Sequence, residues 1–314
     1  MSKNEQLFMR SHGYLPEFQK YHQSLDVSGS HIYSSLTDPE RIAIKVTPVH
    51  QKTFEITDKI MDLTLMSSYL GTIYGHYMDP QHTNVYIVMN KLTGCDLFDL
   101  LVQKLHGTEP LITFNNQKVI QQVARGLQHL HEGGVIHMDI KPENIRILED
   151  GSAVLYDYNL SQTISAYPKR LGGTLDYLAP ELYDMLMRKD FMGNFDEKVD
   201  IWSLGIVIFY LIEYAHPYDK SKNEKEFYKM YQDWIGQGET SHSVSLLNIL
   251  LSTFVNEPIN DLPERWTNKW QQLFYGCMGF LPKDRITAKQ IADTLDNKMQ
   301  RFTRTVGGIV KTCI

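Results

Sequence analysis

The densest run of chemically capable side chains is His137-Met138-Asp139-Ile140-Lys141-Pro142-Glu143-Asn144, with Asp157-Tyr158-Asn159 beginning thirteen residues past Asn144. A carboxylate, an ammonium group, an amide and a second carboxylate form the set that phosphoryl transfer needs. That reaction is mostly positioning and charge neutralisation. It requires a carboxylate near the acceptor hydroxyl, oxygen ligands for a hard cation and a positive charge on the phosphates. Two β-prone runs lie between the polar ends, Ile145–Leu148 and Ala153–Tyr156, joined through Asp150-Gly151, a hairpin signal. Such a hairpin brings Asn144 and Asp157 to one edge, where magnesium would take their oxygens together with phosphate oxygens and water.

Other elements must hold this edge in place. Residues Asn115–His131 put Val119, Ile120, Val123, Leu127 and Leu130 on one stripe, which predicts an amphipathic helix leading into the polar run, capped by Asn115 or Asn116. Asp96–Val102 predicts a short helix. Upstream the character is strand-rich: His31–Leu36 and Arg41–Val46 flank the turn composition Thr37-Asp38-Pro39-Glu40, and Val85–Met89 is a compact apolar strand. Thr53–Tyr69 is the one helix expected there, with Ile56, Ile60, Met61, Leu63 and Leu65 on its apolar face. Beyond the hairpin the chain is expected to be helical, with Ile201–Ala215 as a buried helix.

The chain has 314 residues, 42% hydrophobic content and a formal charge of −6. That is enough to bury a large core. No basic clustering points to nucleic acid or a membrane surface as a partner. The three cysteines, Cys95, Cys277 and Cys313, are far apart, so neither a disulfide framework nor a metal knuckle is indicated. The polar start lacks an apolar signal core, and no run suits a membrane span. An intracellular setting, cytoplasmic or nuclear, is expected.

The motif HMDIKPEN, followed by DYN and then by Gly173-Thr174-Leu175-Asp176-Tyr177-Leu178-Ala179-Pro180-Glu181, resembles the catalytic loop, metal loop and A-P-E set of eukaryotic-type protein kinases. Ala43-Ile44-Lys45 is similar to the kinase A-x-K strand, and Asp200-Ile201-Trp202-Ser203-Leu204-Gly205 and Arg285 match two further elements in family order. Lys141 and Thr174 are similar to the serine/threonine branch. The resemblance implies an α+β, two-lobed protein-kinase fold: a small antiparallel β-sheet N-lobe with one main helix, and a larger, mostly helical C-lobe. The expected boundaries are an N-terminal extension at 1–20, the N-lobe at 21–92, the C-lobe at 93–300 and a tail at 301–314, with a hinge about 90–96.

It also implies roles. Asp139 would accept or orient the acceptor hydroxyl proton, and Lys141 would touch the γ-phosphate. Asn144 and Asp157 would hold Mg2+. ATP would be bound by Lys45, by Val27 and Gly29 of a glycine-rich loop, by Ala43, by Met89 as gatekeeper with the Asn90–Leu92 hinge, and by Asp96 at the ribose. Glu181 would pair with Arg285, and Asp200 would brace the catalytic-loop backbone. The implied activity is ATP- and magnesium-dependent phosphorylation of serine or threonine in a protein substrate.

The chain departs from the family in several places. Val27-Ser28-Gly29-Ser30-His31-Ile32-Tyr33 has one glycine where the family has three, and glycines let backbone close over phosphates. Asn159 replaces a glycine, and asparagine tolerates positive φ. Arg146 replaces an apolar residue beneath the adenine, where it could stack or obstruct. Glu55 and Asp62 are alternative partners for Lys45. Glu143 reads as a selector of basic residues near a phosphosite or as a surface charge. Taken alone, His137 reads as a packed core histidine and Asp96 as a helix cap. These departures motivate a second function, a pseudokinase acting as a binding or scaffold module. A small-molecule kinase ranks third, since such enzymes generally lack the Ala179-Pro180-Glu181 element. Met138 replaces the arginine that receives an activation-segment phosphate. Joint alanine substitution at Ser161, Thr163 and Ser165 should therefore leave most transferase activity, measured as label moved from ATP to protein; a collapse in rate would contradict this.

Overall fold

The sequence IAIKVTP at residues 42–48 sets β-branched and apolar residues on alternating faces, and it forms the central strand of a sheet. The computed structural model describes residues 18–20, 31–35, 38–48, 53–78, 83–165, 171–188, 194–214, 264–279, 281–297, 303–306 and 309–312. The chain divides into two compact units, residues 1–93 and 94–314.

The first unit comprises β1 (Phe18–Lys20), β2 (His31–Ser35), β3 (Ile42–Pro48), α1 (Thr53–Leu65), β4 (Ile73–Met78) and β5 (Asn84–Asn90). The strands form one antiparallel sheet in the order β1-β2-β3-β5-β4. Ile44, Tyr86 and Val88 are buried together on one face. Alternation turns Ala43 and Lys45 to the other face, and both are also buried. Phe18–Lys20, expected in an N-terminal extension, is the edge strand of this sheet. Helix α1 ends four residues before the expected Tyr69. There the Thr64 hydroxyl accepts the Ile73 N–H at 3.0 Å and the Ser67 hydroxyl accepts the Tyr69 N–H at 3.3 Å. Such local side-chain bonds compete with helical ones.

The second unit is mostly helical. It comprises β6 (Cys95–Asp96), α2 (Leu97–Leu105), α3 (Asn116–Glu132), β7 (Val135–Ile136), β8 (Ile145–Ile147), β9 (Ala153–Leu155), β10 (Gln162–Thr163), α4 (Pro180–Arg188), α5 (Lys198–Glu213), α6 (Asn268–Cys277), α7 (Ala288–Leu295), β11 (Thr303–Val306) and β12 (Ile309–Thr312). Asn115 caps α3, its side chain accepting the Lys118 N–H at 2.9 Å. The apolar stripe of α3 is fully buried at Val119, Ile120, Val123, Leu127 and Leu130. Helix α5 is buried from Val199 through Ile212. A Cβ on Gly205 would lie 2.6 Å from Met278 Sδ and 2.9 Å from Cys277 Cβ, so only glycine lets this helix approach the end of α6 so closely.

Two polar clamps tie the helices together. Arg125 of α3 reaches Asp293 at 2.8 Å and Asp296, and Gln117 donates to the Leu295 carbonyl at 3.1 Å, joining α3 to α7. Arg285 forms a bidentate pair with Glu181 of α4 at 2.7 and 2.6 Å, as expected. Its remaining donors go to the Gly279 and Lys198 carbonyls at 2.7 and 2.9 Å, and its guanidinium lies over the Trp202 ring. At least four of the five N–H groups of this buried cation therefore have partners. Arg285→Ala leaves the Glu181 carboxylate and two carbonyls uncompensated and should cost about 3–5 kcal/mol. Chemical denaturation of the variant checks this; a loss under about 1 kcal/mol would mean that the pair is exchangeable with water.

Candidate active site

The hairpin β8–β9 is closed by Asp150-Gly151. Gly151 adopts φ 73°, its N–H donates to the Leu148 carbonyl at 2.9 Å, and Asp150 Oδ1 accepts the Ser152 N–H at 2.8 Å. The ladder pairs Ile145 with Leu155 and Ile147 with Ala153. It continues one step at the open end, where the Tyr156 N–H donates to the Asn144 carbonyl at 3.0 Å. The register therefore sets Asn144 beside Tyr156 and one residue from Asp157. Asp157 makes the turn out of the strand, with φ 66°. Asn159, a residue type that tolerates positive φ, does not adopt it. The strained residue lies two positions earlier, at the aspartate, another type that tolerates positive φ.

The loop before the hairpin is held by one buried carboxylate. Asp200, 1% exposed, accepts the His137 N–H on Oδ2 and the Met138 N–H on Oδ1, both at 2.8 Å, and also the His131 Nε2 contact at 2.8 Å. Two successive amides turned toward one carboxylate force Met138 to φ 73°, a conformation costing an L-residue roughly 1–2 kcal/mol. His137 is fully buried, which pushes its imidazole pKa down. Its Nε2 faces the Tyr156 carbonyl at 3.1 Å and its Nδ1 accepts the Asp139 N–H at 3.3 Å, so the ring is neutral with its proton on Nε2. His137 is a packed structural residue. Ser161 is buried too and donates to the His137 carbonyl at 3.1 Å.

These constraints deliver Asp139, Lys141 and Asn144 to one place. Asp139 Oδ1 accepts the Thr174 N–H at 3.0 Å and the Thr174 hydroxyl at 2.7 Å. Its Oδ2 accepts Asn144 Nδ2 at 2.9 Å and faces Lys141 Nζ at 3.0 Å. Burial alone would raise the Asp139 pKa, but the Thr174 hydrogen bonds and the Lys141 charge overcome it and hold the carboxyl below the ordinary aspartate range. Lys141 Nζ also donates to Thr174 Oγ1 at 2.8 Å, leaving one of its three N–H groups for a ligand. Thr174 follows Gly173, where φ is 120° and a Cβ would meet the Met138 carbonyl at 2.9 Å. The loops of Asp139 and Thr174 thus touch through a glycine.

Asn144 Nδ2 donates to both the Asp139 carbonyl at 2.7 Å and Asp139 Oδ2. Both partners are acceptors, so the amide orientation is settled and its remaining polar atom is the acceptor Oδ1. This hard oxygen donor lies one residue along the ladder from Asp157, and an amide oxygen with a carboxylate is a donor set that fits magnesium. Among the described residues no three His, Cys, Asp or Glu side chains converge on a metal.

The other expected site residues are distributed as follows. Asp96 caps α2, its Oδ1 accepting the Asp99 N–H at 2.9 Å, and it lies opposite Arg146 on the β6–β8 ladder. Glu143 is half-buried rather than a surface charge. Burial raises its pKa, and its Oε2 has no hydrogen-bond partner among the described residues. In the first unit, Ala43 pairs with Met89 and Lys45 with Ile87 across β3–β5, so the side chains of Ala43, Lys45 and Met89 share one face of the sheet. Leu92 follows β5 and is half-buried. Asp62 is exposed while Lys45 is buried, which disfavours Asp62 as its partner. The Glu55 side chain, and Val27 and Gly29 with the rest of the expected glycine-rich loop before His31, lie outside the described residues.

The chain matches the family model of the protein kinase domain over residues 31–295. It belongs to the protein kinase family. Similar kinases include the serine/threonine-protein kinase cds1 of Schizosaccharomyces pombe, 30% identical over 185 residues, which are 58% of this chain and 39% of that protein. The serine/threonine-protein kinase SBK1 of Danio rerio is 32% identical over 141 residues, 44% of this chain and 35% of that one. An Aurora kinase of Eremothecium gossypii is 31% identical over 157 residues, 49% of this chain and 39% of that one. The matched stretch is thus under two fifths of each relative. The kinase fold accounts for both units: an antiparallel sheet with one helix, and a mostly helical remainder. Among the described residues no helix is long and apolar enough to cross a membrane.

Sequence reasoning used Thr174 only to mark the kinase branch and assigned nothing to His131. Neither motif spacing nor periodicity couples Thr174 to a carboxylate 35 residues earlier. A carboxyl held below its ordinary pKa contributes stability that is full above that range and is lost as pH falls through the depressed value. Thr174→Val removes one donor and keeps the shape. It should move the Asp139 titration upward, toward the ordinary aspartate range, as read by carboxyl 13C NMR; an unmoved titration would mean that Lys141 and the backbone N–H suffice.

Proposed function

We propose that the chain transfers the γ-phosphate of ATP to serine or threonine hydroxyls of protein substrates in a magnesium-dependent reaction. The observation that carries this reading is the carboxylate of Asp139, held ionised and oriented by Thr174, Lys141 and Asn144. A scaffold has no need of such a set.

Asp139 accepts the hydrogen bond of the incoming hydroxyl and aims its oxygen. With a depressed pKa it is a weak base, so it acts chiefly by orientation and by its negative charge while the proton leaves late. Lys141 places its remaining N–H on the transferring phosphoryl group and neutralises charge there. Asn144 Oδ1 and the Asp157 carboxylate would hold magnesium. When bound, the ion draws phosphate oxygens together and offsets their charge. By the family resemblance, Lys45 is assigned to the remaining phosphates, Ala43, Met89 and Leu92 to the adenine, and Asp96 to the ribose. The protein names of the relatives support serine and threonine as acceptors.

The test is incubation of the pure chain with labelled ATP, magnesium and generic basic proteins. Label should appear on serine or threonine. Asp139→Asn should cut the rate by at least about a hundredfold. Lys45→Met should abolish transfer with an unchanged melting temperature. Full activity in either variant overturns the role given to that residue. ATP-dependent thermal stabilisation with no transfer would instead support a binding module.

A further inference from the structure

Asp157 stands on a turn that an L-residue rarely takes by itself, with φ 66°. Such a conformation persists only where the surrounding chain is fixed on both sides. On the near side, Tyr156 is tied at three points. Its N–H donates to the Asn144 carbonyl at 3.0 Å, its carbonyl accepts His137 Nε2 at 3.1 Å and its phenol donates to the Glu143 carbonyl at 2.6 Å. On the far side, the chain is held through Tyr158. The Tyr158 carbonyl accepts the Ser161 N–H at 3.0 Å, and buried Ser161 is itself anchored to the His137 carbonyl at 3.1 Å. The Tyr158 ring meets the His137 ring edge-on, with centroids 5.6 Å apart.

The Tyr158 hydroxyl adds a different kind of restraint. It spans Asp157 and donates to the Leu155 carbonyl at 3.1 Å. Leu155 lies on β9, paired with Ile145 and fully buried. The bond therefore ties the residue after the turn to the strand before it. A phenylalanine at this position would keep the ring contact and lose the bond. Ring contacts accept a range of offsets and tilts, whereas a hydrogen bond to a fixed carbonyl is directional.

We propose that the Tyr158 hydroxyl positions the metal-binding aspartate: by fastening residue 158 to β9 it holds the Asp157 turn, and so sets how tightly Asn144 and Asp157 together take a divalent cation. Tyr158 is a positioning residue that acts through Asp157. The inference rests on the kinase reading and deepens it.

The test compares the full chain as wild type and as Tyr158→Phe. A net hydrogen bond of ordinary strength corresponds to about three- to tenfold in an equilibrium. Without ligands, the Ser161 amide should exchange faster by that factor in the variant, while the Val123 amide in α3 is unchanged. With a non-hydrolysable ATP analogue present, Mn2+ binding followed by electron paramagnetic resonance should weaken by the same factor, whereas metal-free affinity for the analogue keeps its wild-type value. In steady-state transfer the magnesium KM should rise more than kcat falls. Unchanged Mn2+ affinity overturns the proposal, whatever the exchange rates. An equal loss of metal-free analogue affinity would show general loosening and overturns it too. Should the variant fail to fold, the deuterium isotope effect on the ζ-carbon of Tyr158 in the wild type reads hydroxyl exchange directly: slow exchange supports the bond, and exchange as fast as that of a solvent-facing phenol overturns it. A wild-type chain that binds no Mn2+ beside the analogue overturns the kinase reading itself, whereas wild-type binding that Tyr158→Phe leaves intact overturns only the role of Tyr158.

Discussion

The arrangement of the catalytic loop depends on a buried carboxylate that never meets a substrate. Asp200, inside α5, accepts two consecutive backbone amides and one histidine. A carboxyl group at 1% exposure is tolerated only if its oxygens have hydrogen-bond partners, and here both do. Satisfying them requires both amides to turn inward, and that turn is the strained geometry at Met138. Strain at one residue is thereby exchanged for satisfaction of a charge. The next residue, Asp139, is consequently aimed away from the core. The helix that carries Asp200 is almost wholly apolar, so it cannot shift to relieve the loop without exposing Trp202, Phe209 and their neighbours.

Asp139 shows how a carboxylate is prepared for orientation rather than for proton storage. Four donors from Thr174, Asn144 and Lys141 converge on its two oxygens. They come from two separate backbone segments, residues 141–144 and Thr174, so displacing either of them loosens the other. The same amide that steadies Asp139 keeps its own oxygen out of those bonds. Under the proposed function, acceptor positioning and metal binding are two ends of one side chain.

The elements that position this site were largely legible in the sequence. The stripe of α3, the hairpin around Asp150-Gly151 and the buried α5 follow from periodicity and turn chemistry, which are local. The Glu181–Arg285 pair and the bracing by Asp200 were legible only through resemblance to a family, because no pattern in the chain joins residues so far apart. The contact of Thr174 with Asp139 and the strain at Asp157 in place of Asn159 were not legible. Both arise from how loops meet after the helices have packed. The end of α1 was misplaced because the Thr64 and Ser67 hydroxyls serve backbone amides outside the helix, which no helical periodicity records.

The clamp between α3 and α7 carries a consequence for where this domain can be cut. Arg125 sits on the helix that feeds the catalytic loop, yet its two carboxylates, Asp293 and Asp296, lie at the other end of the sequence. A fragment that stopped after α6 would retain every residue of the transfer chemistry in the second unit. It would also strip Arg125 of both carboxylates and remove the helix packed against α3. The minimal self-sufficient piece therefore extends through Asp296, well past the last residue with any chemical duty.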